Sequence, residues 1–170
     1  MQFNHYGVEA ALLAAGLVNL PAPFTPVTLK PLLDAHHVVA SHLTRPQVAA
    51  VEAWSERLAP CFGPQALAAR CRAVNALLAA GCTSPHISLH DGHPHMHYDA
   101  PDADAAARIQ ARTAGGLAYV VCGSGPDRLG RCRRCDLAFV DTSRNGRRAY
   151  CTVRCANNAA VARHRDRNRL

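Results

Sequence analysis

Two cysteine pairs, Cys132-x2-Cys135 and Cys151-x3-Cys155, stand fifteen residues apart near the C-terminus. Each pair can sit on a tight turn that points two sulfurs at one spot, and four converged thiolates make a closed tetrahedral Zn²⁺ site. No histidine or open ligand position lies between the pairs, so the expected metal is one structural Zn²⁺ and not a catalytic one. The expected order is a metal turn, a short hairpin, a second metal turn and then a helix. Leu137, Phe139 and Val140 would supply its minimal core, and Ser143-Arg-Asn-Gly146 its hairpin turn. Redox chemistry at the CxxC is the competing reading, and the second pair at this distance argues against it.

Arginine is concentrated around these cysteines. Residues 127–170 hold twelve arginines against four aspartates, a formal +8 within a chain total of +7, which leaves −1 for residues 1–126. A near-neutral body with a strongly basic end points to a polyanionic partner, above all DNA. The alternative is a solvated arginine-rich tail in a protein that favours Arg over Lys, Lys30 being its single lysine. Beyond Cys155 the chain has good helical propensity, and Arg163 and Arg167 would share one helix face. The residues expected to meet nucleic acid are Arg147, Arg148, Arg154, Arg163, Arg165 and Arg167.

A second cluster lies at residues 86–99, HISLHDGHPHMHYD, where alternation replaces helical periodicity and Asp91-Gly92 marks a turn. In such a hairpin His86, His90, His95 and His97 share a face opposite Ile87 and Leu89. Imidazoles at that density can bind a metal ion or, when protonated, a small anion. The alternative is an ordinary polar face on an exposed hairpin.

These sites need elements to position them. The chain is rich in alanine and leucine and poor in aromatics (5%), which favours helix over sheet. Val8–Leu20 is apolar but has no basic segment before it and carries Glu9 within, so it reads as a core helix and not a signal peptide. Pro21–Pro26 interrupts, and a short helix follows near Leu29–Ala35. Thr44 and Gln47 form a capping box before a helix that Pro60 closes, with Val48, Val51, Trp54 and Leu58 on its inner face. The next helix opens after Gly63-Pro64 and stops at Gly81, with Leu67, Cys71, Val74 and Leu78 inward. Cys61, Cys71 and Cys82 are expected to be buried structural thiols. A last body helix is capped by Asp102, and Cys122–Pro126 ends the body. The expected fold is therefore mainly α (α+β): a helical domain with one β-hairpin over 1–125, then a zinc-ribbon-like finger with a basic C-terminal helix over 126–170. No apolar run reaches eighteen residues, so no membrane span is expected, and the cytoplasm is the expected compartment.

The run from Arg131 to Arg165 carries a family resemblance. Its order of Cys132-x2-Cys135, Phe139-Val-Asp141-x-Ser143, Arg147-Arg148, Tyr150-Cys151-x3-Cys155 and Asn157 resembles the CGNR zinc finger. More loosely, residues 1–125 resemble the ABATE domain that precedes this finger in bacterial proteins described as stress-induced transcription regulators. The resemblance implies zinc on the four cysteines and a role in transcription. Two departures stand out: the Cys-Gly-Asn-Arg signature reads Cys155-Ala156-Asn157-Asn158, and Tyr150 replaces the usual tryptophan. No nucleotide-binding, hydrolase or metalloprotease signature occurs, so no enzymatic activity is expected. Two functions follow as expectations. One is a DNA-binding regulator that self-associates through its helical domain. The other is a metal- or small-ligand-binding protein that works through the histidine hairpin and uses the finger for protein contacts.

Overall fold

The computed structural model describes residues 5–39, 42–89, 92 and 94–167. Helix α1 (His5–Asn19) is apolar on nearly every side, with Leu13, Ala14 and Leu17 fully buried, as befits a helix at the centre of a bundle. It packs lengthwise on α5 (Ala105–Tyr119), and the approach is close. A Cβ on Gly116 of α5 would stand 2.5 Å from the Ala10 Cβ and 2.6 Å from the Ala11 amide nitrogen. The cis bond Ala22-Pro23 lies in the break between α1 and α2 (Pro26–Ala35).

Helix α3 (Arg45–Leu58) starts at the expected capping box: the Gln47 amide donates to Thr44 Oγ1, and the Thr44 amide donates to Gln47 Oε1. Its inner face is the expected one, with Val48, Val51, Trp54 and Leu58 buried. Trp54 Nε1 finds its partner on α5, donating to Thr113 Oγ1 at 2.9 Å. Helix α5 begins later than expected. Asp104, not Asp102, accepts the Ala107 amide at 2.8 Å, because 101–102 are occupied by a turn.

Helix α4 (Leu67–Gly81) departs further from expectation. Its buried face is Arg70, Val74, Leu77 and Gly81, while Leu67 is 58% exposed. The helix is rotated by roughly one residue because a charged side chain goes inward. Arg70 is 1% exposed, and its guanidinium donates to the carbonyls of Cys61 (2.9 Å), Gly63 (2.7 Å) and Leu129 (2.9 Å). Cys61 is buried as expected, whereas Cys71 and Cys82 are only half-buried; burial pushes the Cys61 and Cys82 thiols each up to about 11.

The C-terminal hairpin, β3 (Leu129–Arg131) with β4 (Ala138–Val140), is built into the same core. Leu129, Ala138 and Val140 pack among the residues of α1, α3, α4 and α5. Asn19, the last residue of α1, clasps Ala138 twice, its Nδ2 donating to the carbonyl and its Oδ1 accepting the amide, both at 2.8 Å. The expected fold class holds: the described chain is mostly helical with two small antiparallel hairpins. Among the described residues no helix is long and apolar enough to cross a membrane.

Replacing Arg70 with methionine keeps the volume but strands the Cys61 and Gly63 carbonyls and leaves that of Leu129 with the Gly63 amide alone. Chemical denaturation of Arg70→Met is expected to show a loss of about 3 kcal/mol or more; a loss under about 0.5 kcal/mol would assign the packing to apolar contacts alone.

Candidate metal centre

Each cysteine turn is shaped by its own backbone. The β3–β4 hairpin straddles the first pair, so Cys132–Leu137 is itself the hairpin loop, closed by the Cys132 amide donating to the Leu137 carbonyl at 2.9 Å. This corrects the expected order: the hairpin does not follow the metal turn but carries it at its tip. Asp136 takes φ 58°, one of the few residue types that tolerate the left-handed region. Ser143–Gly146 does turn, but no strand returns from it to pair with β4. The unit's core is Ala138, Phe139 and Val140, with Leu137 exposed instead. Gly130 is required opposite Phe139, because a Cβ there would meet the ring at 2.6 Å. The guanidinium of Arg148 lies over that ring, 5.9 Å from its centroid.

The second turn opens helix α6 (Val153–Arg167). Thr152 Oγ1 accepts the Cys155 amide at 3.1 Å, capping the helix and fixing the fourth sulfur. Arg148 donates to the Cys151 carbonyl at 2.7 Å, and the Arg133 amide donates to the Ala149 carbonyl at 3.0 Å, so the two turns are tied together. Between them Asp141, 2% exposed, gathers the loop by accepting the amides of Ser143 (2.9 Å) and Arg148 (2.7 Å). Burial of its carboxylate raises its pKa, but the Ser143 hydroxyl, the two amides and nearby Arg128 outweigh that and hold it below the ordinary range. Arg128 itself is caged by the carbonyls of Ser124, Asp141 and Ser143.

The four sulfurs converge. Those of Cys132, Cys135, Cys151 and Cys155 all lie within 4.8 Å of one another. Cys135–Cys151 is 3.6 Å, and both Cys151–Cys155 and Cys155–Cys135 are 3.8 Å. A Zn–S bond of ~2.3 Å in a tetrahedron requires S···S edges of about 3.8 Å, so the set fits zinc. It also fits zinc electrostatically. Burial raises the Cys132 thiol, yet the amides of Cys151, Cys135 and Arg134 overcome this and bring it down to about 6. Burial and the neighbouring sulfurs push Cys151 up to about 12. Four thiolates this close need a dication between them. The four cysteines would complete a tetrahedron by themselves, so among the described residues they form a single site of the structural kind.

Such a cluster defines a small four-cysteine zinc module. Residues 128–168 match the family model of the CGNR zinc finger, the segment whose residues carry the resemblance described above. Comparison with the curated proteins returns no match.

The six expected DNA-facing arginines divide. Arg147, Arg154, Arg165 and Arg167 stand exposed, Arg163 is exposed with its Nη1 donating to Tyr150 Oη at 2.9 Å, and Arg148 is held by the Cys151 carbonyl. Asn158, where the family signature has arginine, is exposed on α6.

The histidine hairpin forms as β1 (His86–Ser88) and β2 (His95–His97), with His86 opposite His97 and Ile87 opposite Met96. His86, His95 and His97 share a face as expected; His90 lies outside the described residues. The face is not an ordinary exposed one, since His95 is buried and its Nε2 lies 3.0 Å from that of His97. No third metal-ligating group joins them among the described residues. Arg70, Asn19 and Thr152 were not marked by the sequence as site-building residues, and Asp141 stood in the family motif without a role. Of the first three only Thr152, a capping residue three positions before the Cys155 amide, had a readable signal.

Two outcomes check this centre. The protein should bind one zinc per chain, lost in Cys132→Ser or Cys151→Ser, and calorimetry in buffers of differing ionisation enthalpy should detect more than one proton released per zinc at neutral pH. Zinc affinity then falls as pH falls, and zinc uptake without proton release would contradict thiol ligation. Asp141→Asn, which turns an N–H toward one of two amide donors, should destabilise the finger by about 2 kcal/mol. The carboxylate's contribution is present above its ordinary pKa and disappears as pH falls through the lowered one, so the variant should lose that share of the acid sensitivity, read by denaturation across acid pH.

Proposed function

We propose that the protein is a DNA-binding regulator without enzymatic activity, acting in the cytoplasm, whose zinc finger grips DNA while the helical body senses or associates. The observation supporting this reading is the sorting of arginines by the fold. Arg70 and Arg128 have their guanidinium groups committed to carbonyls, and Arg131 pairs with Asp136 and reaches the Ala59 carbonyl. Arg147, Arg154, Arg163, Arg165 and Arg167 are exposed on the four-cysteine module, whose two turns a zinc ion would hold together. Arginines solvated merely for solubility have no need of that anchoring.

In this mechanism Cys132, Cys135, Cys151 and Cys155 would hold a zinc ion, whose ligation would lock the two turns and fix the direction in which α6 leaves the finger. The exposed arginines on α6, with Arg147 beside the second turn, meet successive phosphates. Tyr150 holds the Arg163 side chain, lowering the entropy lost when it engages. Arg148 acts indirectly, by steadying the second cysteine turn. Association of two copies through the body would place two fingers on one duplex.

Fluorescence anisotropy with a labelled duplex tests the proposal. Five phosphate contacts predict a slope of about −4.5 in log affinity against log salt. Arg154→Glu with Arg165→Glu should weaken binding at least ~10-fold with zinc content unchanged. Absence of duplex binding at ~50 mM salt would overturn the reading.

A further inference from the structure

Helix α6 buries almost nothing of itself. Among its described side chains only Cys155, Ala156 and Ala159 are half-buried, and Arg163 leans the same way to reach Tyr150 Oη at 2.9 Å. At about 100° per residue these four mark one side of the helix, the side turned to the finger. Roughly opposite them around the axis come Arg154, Asn158, Val161 and Arg165, all exposed. Their spacing of four, three and four residues keeps them within about 60° of arc, a straight stripe facing away from the finger.

The make-up of this stripe matches one kind of surface. Its ends are arginines about 16 Å apart along the axis. Its middle is uncharged, an amide at Asn158 and an apolar side chain at Val161 that is 49% exposed. The side chains of Arg154, Asn158 and Arg165 make no hydrogen bond or ion pair with any described residue, so their polar atoms are open to a partner. A helix this polar gains little from packing on its own chain, and a partner surface must hold it. That surface has to admit a bare helix, carry negative charge along both edges and offer donors, acceptors and methyl groups along its floor. The major groove of duplex DNA, ~12 Å wide between its phosphate walls, does all three.

We propose that α6 lies in the major groove with Asn158 as the specificity-determining residue of the finger. Its Nδ2 donates to N7 of an adenine and its Oδ1 accepts from the N6 amino group of the same base. Val161, on the next turn, meets a thymine methyl group, while Arg154 and Arg165 take phosphates on the two walls. The inference rests on the DNA-binding reading and adds to it a sequence preference, which phosphate contacts do not supply.

Selection of duplexes from a randomised pool by the full zinc-loaded chain, followed by anisotropy on the enriched site, tests it. An enriched site with one dominant A·T pair is expected. Exchanging that adenine for guanine, or for 7-deazaadenine, which lacks the N7 acceptor, should weaken binding at least ~5-fold. Asn158→Ala, at an exposed position, should flatten the preference at that pair to within about twofold and leave zinc content and salt slope unchanged. Asn158→Arg should turn the preference at the same pair towards guanine. Failure to bind any duplex would sink the DNA-binding reading and this contact with it. Binding without an enriched sequence overturns the base contact alone. So does a preference that persists in Asn158→Ala or is indifferent to the loss of N7.

Discussion

Arg70 carries a permanent charge into a place from which water is excluded, and carbonyls from two distant parts of the chain meet it there. Two belong to the turn after α3, at Cys61 and Gly63; the third is Leu129 at the start of the zinc finger's hairpin. A buried guanidinium without such acceptors would be prohibitively costly, so helix α4, that turn and β3 are held in one arrangement. The Gly63 amide donates to the same Leu129 carbonyl at 3.0 Å, reinforcing the junction. Much of the finger's geometry follows from it. A segment with so few apolar residues could not build a core alone, but β3 and β4 lend Leu129, Ala138 and Val140 to the helices' core. The metal then has only the two cysteine turns and the start of α6 left to organise.

Arginine consequently plays two opposite parts in one chain. At positions 70 and 128 the planar fork gathers carbonyls and serves as internal scaffolding. On α6 the same side chain extends into solvent. Composition alone places Arg128 in one basic patch with the α6 arginines, and its carbonyl partners set it apart. Arg148 is intermediate, covering Phe139 and reaching the Cys151 carbonyl while staying exposed.

The parts legible in the sequence were those fixed by nearest neighbours. The cysteine spacing gave the ligand set because chelation depends on local turns, and the Thr44–Gln47 box gave a helix start because capping is local too. The inward face of α4 was misread by one residue, since periodicity ranks Leu67 above Arg70 and cannot anticipate carbonyls supplied 59 residues away. Of the hairpin histidines His86, His95 and His97 share a face as expected, and alternation gives two faces without saying which one meets the body. The hairpin around Cys132–Cys135 was displaced for a related reason: Ser143–Gly146 has turn chemistry, yet the partner strand of β4 lies before it.

The twin hydrogen bonds between Asn19 and Ala138 join positions 119 residues apart. During synthesis, the apolar first helix therefore leaves the ribosome long before the strand that covers its end exists. Closing so long a loop is slow relative to forming the helices, and α1 must wait with its apolar surface incompletely covered. The last quarter of the chain thus completes the folding of the first, and a transcript cut short before β4 would yield a body with an open core.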